Sequence, residues 1–289
     1  MEMTEIDMGD TAGGTSSGKP RLALMGEFSA GKSTLSNILL GGSALPTRVT
    51  ATRLPPVWIS YGPDAAFRVG HDGSVTEIGL DEIDNVDLDE TRMVRLQMEA
   101  DALQICDLID MPGISDPNMS PEVWQNLMDE VDCVVWCTHA TQAWRQSEAA
   151  TWEQISDRTN GNNLLLITQI DKVSAGRDRA RLLARVGKET EGQFQGIYPV
   201  SLLDAMNAGD DAALWAESGA AAFTEALVEM LMKPGGKSDA GGEAVPAAAT
   251  PAEDVPEQSE RIVPKRVRSN RALPPRERLQ SGEKASLMF

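Results

Sequence analysis

Aromatic side chains make up only 4% of this 289-residue chain, and its 26 basic residues are outnumbered by 44 acidic ones. The resulting net charge of −18 repels a phosphate backbone and excludes non-specific electrostatic binding of nucleic acid by the body of the chain. Only three cysteines occur, Cys106, Cys133 and Cys137, and they match no metal or redox spacing. Cys133 and Cys137 fall in an apolar, strand-like run, so the expectation is buried free thiols in a reducing cytoplasm. No apolar run approaches the length needed to cross a bilayer. The N-terminus is acidic and polar, which argues against a signal peptide. No internal repeat is found. The length suits one large domain with appendages, or two small ones.

What is present is organised around Gly26-Glu27-Phe28-Ser29-Ala30-Gly31-Lys32-Ser33-Thr34. The apolar run Leu22–Met25 precedes it, and Leu35, Ile38, Leu39 and Leu40 follow at helical spacing. Strand, glycine-rich turn and helix, with Gly26-x4-Gly31-Lys32-Ser33, fit the phosphate-loop pattern. Small residues let backbone N–H groups converge on a phosphate, and the helix N-terminus adds partial positive charge. Lys32 is expected to reach the outer phosphates and Ser33 to hold Mg2+.

Residues 1–19 lack periodicity and are expected to be disordered; residues 20–233 are expected to fold. Strands are predicted at Val57–Tyr61, at an edge-like Met93–Met98, at Leu103–Ile109, Cys133–Thr138, Leu164–Thr168 and Ile197–Val200. Phe67–Val69 and Val75–Ile78 flank a turn at His71-Asp72-Gly73 and read as a hairpin. A short acidic surface stretch covers Asp81–Asp89. Helices are predicted from Ser120-Pro121, and at Ser147–Asp157, Asp178–Phe194 and Ala220–Met232. The alternation implies an α/β fold, with a mostly parallel central sheet covered by helices on both faces. Residues 234–289 read as linker and tail.

The order of the other motifs narrows the ligand. A phosphate-loop switch needs a threonine on a loop that senses the terminal phosphate, and Thr52 lies in the right place, with Thr50 as its rival. It also needs an acid at a strand end and a glycine N–H for the terminal phosphate, which Asp110 and Gly113 supply. Asp171, in Thr168-Gln169-Ile170-Asp171, offers a carboxylate to guanine N1–H and N2–H, and adenine would meet it with acceptors instead. Paired hydrogen bonds of this kind reject the wrong partner by roughly 10^4. Ser201 is placed to help close the base pocket. His139 reads as a polar strand-end residue, and Arg145 as a solvated helix-start arginine rather than an arginine finger.

GEFSAGKST, LPTRVTATRLPP, DMPG, TQID and PVS, in this order, resemble the GTPases of the dynamin superfamily, particularly bacterial dynamin-like proteins, over about residues 20–233. The resemblance implies a phosphate-loop GTPase fold that binds GTP with Mg2+, hydrolyses it, and pairs across the nucleotide face with itself or another protein. The nucleotide-binding set is then Gly26, Ser29, Ala30, Gly31, Lys32, Ser33, Thr34, Asp110, Gly113, Thr168, Gln169, Asp171 and Ser201. Ser29, Lys32, Thr52 and Gly113 are expected at the reacting phosphate. Ser33, Thr52 and Asp110 are expected at Mg2+, Asp110 through water. Three departures stand out. Phe28 replaces the water-positioning glutamine of eukaryotic dynamins, Ile114 cannot orient a nucleophile, and Gln169 stands where lysine is usual.

The family's membrane-remodelling members carry a helical stalk, and a bundle of ~20-residue helices takes about 80–100 residues. Only 56 follow Lys233, so the expectation is a nearly isolated GTPase domain, working as a switch or with a partner. Residues 261–289 hold eight basic and two acidic groups, a local +6 that leaves −24 for everything before them. At ~1 kcal/mol per cation, this suits reversible binding to an anionic membrane, with a dissociation constant of tens of micromolar at about 6 kcal/mol. The even alternative is a tail folded back on the acidic body. The chain is thus expected in the cytoplasm, with a peripheral membrane location open to it. Rival readings are a nucleotide-gated scaffold with little hydrolysis, an RNA-associated GTPase, and a plain ATPase.

Overall fold

A computed structural model describes residues 18–41, 54–115 and 125–233. The predicted helix from Ser120-Pro121, the switch threonines Thr50 and Thr52, and the segments 1–17 and 234–289 lie outside the described residues.

Nine strands form one sheet: β1 (Arg21–Gly26), β2 (Val57–Tyr61), β3 (Ala65–Gly70), β4 (Val75–Ile78), β5 (Thr91–Met98), β6 (Asp107–Asp110), β7 (Cys133–His139), β8 (Asn163–Thr168) and β9 (Gly196–Val200). Their spatial order is β4-β3-β5-β2-β6-β1-β7-β8-β9. The run from β6 through β1, β7 and β8 to β9 is wholly parallel. On the other side, β2 runs antiparallel to β6 and parallel to β5, and β3 and β4 continue the sheet as an antiparallel hairpin.

Alternation along the central strands explains why their sequences are continuously apolar. Leu22 and Leu24 of β1, Val135 of β7 and Leu166 of β8 enter one core, while Ala23, Met25, Trp136 and Leu165 enter the other. A strand buried on both faces favours apolar side chains on both, and its few polar residues need hydrogen-bond partners within the protein. The first core is closed by α1 (Lys32–Leu39), α4 (Leu202–Ala208) and α6 (Ala220–Met232), through Leu35, Leu202, Phe223 and Leu227. The second is closed by α2 (Gln146–Ile155) and α3 (Gly176–Glu189), through Trp152, Ile155 and Val186. A short helix, α5 (Ala212–Glu217), links α4 to α6.

Four details differ from the sequence expectation. Met93–Met98 is no edge, because β5 lies between β3 and β2; its polar Arg95 is accommodated by stacking over the Trp58 ring, 5.6 Å from the centroid. Of Leu103–Ile109 only Asp107 onward pairs as strand, and Asp101–Gln104 is a 3-10 turn that buries Leu103. The helix expected to reach Phe194 stops at Glu189, and Phe194 instead stacks on Trp152, with centroids 4.4 Å apart. The helices α4 and α5 are not visible as separate elements in the sequence pattern.

Candidate functional site

The carboxyl ends of β6, β1, β7, β8 and β9 share one edge of the sheet, the edge at which parallel α/β folds bind ligands. Strand β1 ends there in the phosphate loop. Gly26 has φ 138°, and a side-chain carbon at this position would lie 2.1 Å from the Cys137 carbonyl oxygen, so only glycine lets β1 turn so close to β7. Ser29 is held at φ 59°, and Ala30 N–H donates to the Glu27 carbonyl at 3.2 Å. The turn delivers the chain into α1 at Lys32, so Gly31, Lys32, Ser33 and Thr34 form the helix start, whose first N–H groups have no partner within the helix.

Lys32 is buried, and its ammonium donates to the carbonyls of Gly26 (3.0 Å) and Glu27 (2.9 Å). Two protons of the ammonium are thereby committed and the third is left for a ligand. Burial lowers the Lys32 pKa, and nearby Asp110 is the largest of the charges that oppose the shift. Asp110, at the end of β6, is buried beside β1 and pairs in register with Leu24. Its carboxyl is pushed up to about 6 by burial, against the opposing effects of Lys32 and a hydrogen bond with the Ser33 side chain. Ser33 oxygen and Asp110 carboxylate thus share one place next to an ammonium. Mg2+ favours hard oxygens and is commonly held by one or two carboxylates plus substrate phosphates, so this donor set fits it. Among the described residues no cluster of three or more His, Cys, Asp or Glu could hold a metal, and a phosphate-completed site needs none.

The segment after Asp110 folds over the phosphate loop. Met111 N–H donates to the Leu24 carbonyl and Ile114 N–H to the Gly26 carbonyl, both at 3.2 Å. Gly113 presses on Phe28: a side-chain carbon there would stand 2.9 Å from the Phe28 N and Cα. The Phe28 N–H donates to Ser115 Oγ at 3.3 Å, a contact the sequence did not suggest. Phe28 is 54% exposed, so about half of this large apolar residue faces solvent.

The loop that follows β8 is tied to the phosphate loop by two side chains. Thr168 is fully buried; its hydroxyl donates to the Ala30 carbonyl at 2.8 Å, with the Thr138 carbonyl at 3.3 Å. Gln169 has φ 55°, and its side-chain amide donates to the Ser29 carbonyl at 3.4 Å and accepts from Lys172. The departure from lysine at this position therefore retains a cross-link between the two loops. Asp171 sits in the following 3-10 turn, Ile170–Lys172, exposed. Ser201 is buried at the end of β9. Its hydroxyl accepts from Asp204 N–H and caps α4, and its own N–H donates to the Ser218 carbonyl.

Two further carboxylates, Glu148 and Glu27, stand beside these elements. Glu148 of α2 is a buried carboxylate that accepts from Trp136 Nε1 (3.0 Å), Thr138 Oγ1 (2.9 Å) and the Arg145 N–H (2.9 Å). Burial raises its pKa, against these hydrogen bonds. Glu148 stands at the third helical position, as in a capping box, but the N-cap is Arg145 where that signature has Ser or Thr, so no sequence pattern marks it. Glu27 of the phosphate loop contacts Ser147 and Arg145, a link that no local pattern encodes.

Fold and site together define a phosphate-loop nucleotide-binding domain of the GTPase type. The family model described as the Dynamin family matches residues 22–170. The chain belongs to the dynamin family, and this part of it is a GTP-binding, dynamin-type GTPase domain. It is 23% identical over 160 residues to Dynamin-like protein 2 of Campylobacter jejuni, covering 53% of this chain and 26% of that protein. It is 28% identical over 215 residues to the isoniazid-induced protein IniC of Mycobacterium tuberculosis, covering 65% of this chain and 43% of that one. The chain therefore spans less than half the length of these relatives. Among solved structures, an oligomerised bacterial dynamin pair matches with a TM-score of 0.53 at 18% identity, over 73% of this chain and 34% of that one. That likeness concerns the fold.

Proposed function

We propose that this domain binds GTP together with Mg2+, hydrolyses it to GDP and phosphate, and changes the state of its switch loop as it does so. The observation that carries the reading is the meeting of Lys32, Ser33 and Asp110 at the end of β1 and β6, with Asp171 exposed on the loop cross-linked to the same turn. In this reading Gly26, Ser29, Ala30, Gly31 and Thr34 shape the phosphate cradle, Lys32 meets the outer phosphates, and Ser33 and Asp110 hold the metal, Asp110 through water. When bound, the ion neutralises developing charge on the phosphates. Gly113 and Thr52 sense the terminal phosphate, and Asp171 reads guanine. Thr168, Gln169 and Ser201 hold the base loop and the pocket wall in place.

Hydrolysis needs an oriented water, and neither Phe28 nor Ile114 carries an atom that can orient one. The water then falls to Ser29, which is exposed beside the cradle, to the Thr52 backbone, or to a second molecule. Turnover by the isolated chain is accordingly slow and rises when a second copy or a partner covers the nucleotide face. An anionic membrane surface is the further partner proposed for residues 261–289, at the periphery of the cytoplasmic leaflet. Among the described residues no helix is long and apolar enough to cross a membrane.

The test is steady-state GTP turnover over a range of protein concentrations, with and without anionic liposomes, beside Lys32→Ala. The expected result is activity abolished by that substitution and rising faster than linearly with concentration. A second reading, a scaffold that binds GTP but scarcely hydrolyses it, is favoured by Phe28. Multiple-turnover phosphate release would eliminate it.

A further inference from the structure

A carboxylate in a phosphate loop is an electrostatic problem, and Glu27 is one. A free acid at this position would oppose an incoming triphosphate and compete with it for the nearest cation. In the structure the Glu27 side chain is only 14% exposed. Its Oε1 accepts from Ser147 Oγ at 2.5 Å, and its Oε2 lies 3.7 Å from Arg145 Nη1. Both partners belong to the start of α2, where Arg145 is the N-cap. That start is itself fixed, because the Arg145 N–H donates to Glu148, which is locked to Trp136 and Thr138 inside the core. Lys32, meanwhile, touches Glu27 through the backbone carbonyl, at 2.9 Å, not through the carboxylate.

We propose that Arg145 and Ser147 form a latch that turns the Glu27 carboxylate away from the phosphate site and so keeps the Lys32 ammonium available to the terminal phosphates. The inference rests on the reading of this site as a GTP site. Once released, Glu27 has Lys32 as a cation within its own loop. Pairing would neutralise the ammonium and set a negative charge beside the ligand. That penalty scales with ligand charge, so a triphosphate feels it more than a diphosphate. Arg145 and Ser147 are positioning residues in this scheme; they act through Glu27 and touch no phosphate.

The experiment measures equilibrium binding of a non-hydrolysable GTP analogue and of GDP, with Mg2+, to the full chain and four variants. In R145A/S147A the triphosphate should bind about tenfold more weakly, equivalent to ~1.4 kcal/mol, and GDP by no more than about threefold. Adding E27Q to that variant should return both ligands to within about twofold of the unmodified chain, and E27Q alone should bind like the unmodified chain. S147A alone, a change that helices tolerate, should show the same triphosphate bias on a smaller scale. The latch is overturned by unchanged triphosphate binding in R145A/S147A, by equal losses for the two ligands, by a loss that E27Q does not relieve, or by a loss caused by E27Q alone. If the unmodified chain binds neither ligand, the GTP reading itself is overturned and the latch with it; failure of the latch alone leaves that binding intact.

Discussion

The Thr168 hydroxyl donates to the Ala30 carbonyl across 2.8 Å, joining the end of β8 to the phosphate loop 138 residues earlier in the chain. Thr168 has no exposed surface, so its contribution to a nucleotide site is to hold two loops at a fixed separation. Replacing it with valine keeps the shape and removes the donor. The expected loss is about 1–3 kcal/mol of folding stability, the usual effect of stranding a buried acceptor. Thr168→Ser should recover most of it. Urea unfolding midpoints check the stability, and the preference for guanine over adenine nucleotide should stay the same in both variants.

Asp171 behaves in the opposite way, because it is exposed and has no structural burden comparable to that of Thr168. Asp171→Asn replaces one acceptor oxygen by a donor that would face the guanine N–H groups. GTP affinity should fall by about 100-fold or more, on the scale of sites that depend on paired hydrogen bonds. The unfolding midpoint should move within about 0.5 kcal/mol, as for ordinary surface changes. Equal loss of stability and binding would assign Asp171 to the fold and not to the base.

Glu148 gives a third test, since it accepts three hydrogen bonds inside the core. Glu148→Ala strands a ring nitrogen, a hydroxyl and a backbone N–H together. The expected cost is about 3–5 kcal/mol, because each unmet buried donor contributes 1–3 and neighbours partly relax. Glu148→Gln should cost less, since one of its amide atoms still accepts. Emission from Trp136, whose ring N–H donates to Glu148, should shift in both variants, and thermal unfolding should rank them.

Much of this architecture was legible because the central strands must be apolar on both faces. Val57–Tyr61 and Ala220–Met232 match the observed limits, and the runs ending at Thr138 and Thr168 match to within a residue. The phosphate loop was legible for a related reason: its spacing is dictated by the backbone turn itself. The misses have physical causes. Residues 202–217 form two short helices, one buried only through Leu202, Ala205 and Ala208 and the other with no buried residue, too little for a helical period to show. Phe194 reads as the end of an amphipathic helix, but it belongs to the Trp136, Trp144 and Trp152 cluster through ring contacts across loops. The partners of Glu27 lie about 120 residues away, and separation of that kind leaves no trace in local pattern.

Asp110 makes stability depend on pH in a direction opposite to that of a salt-bridged acid. Burial raises its folded pKa to about 6, above the value in an unfolded chain. Between about pH 4 and pH 6 the folded state therefore holds a proton that the unfolded state has released. Stability from this group is full below that window and falls as pH rises through it, by on the order of 3 kcal/mol for about two units. With metal chelated and nucleotide absent, the unfolding midpoint should carry a falling contribution over this range. Asp110→Asn should remove it, while Mg2+ with GTP should offset it by favouring the ionised acid.

The three cysteines allow a prediction at the other end of the pH scale. Cys106, Cys133 and Cys137 are all buried and unpaired. Burial pushes each thiol up to about 12, and the thiolate is the reactive form. At pH 8 the native protein should therefore react with a thiol reagent only as fast as it opens, with no rapid phase. In denaturant all three should react at once. The sign for stability follows from the same shift: above about pH 9 the unfolded chain loses these protons while the folded chain keeps them, so stability falls as pH rises. Cys137→Ser should blunt that alkaline loss, but it places a hydroxyl in the apolar layer beside Leu24 and Val135, so it should also lower the neutral-pH midpoint by about 1–3 kcal/mol. Rapid labelling of Cys137 in the native state would contradict the packing of β7 against β1, since Gly26 lies directly against the backbone of Cys137.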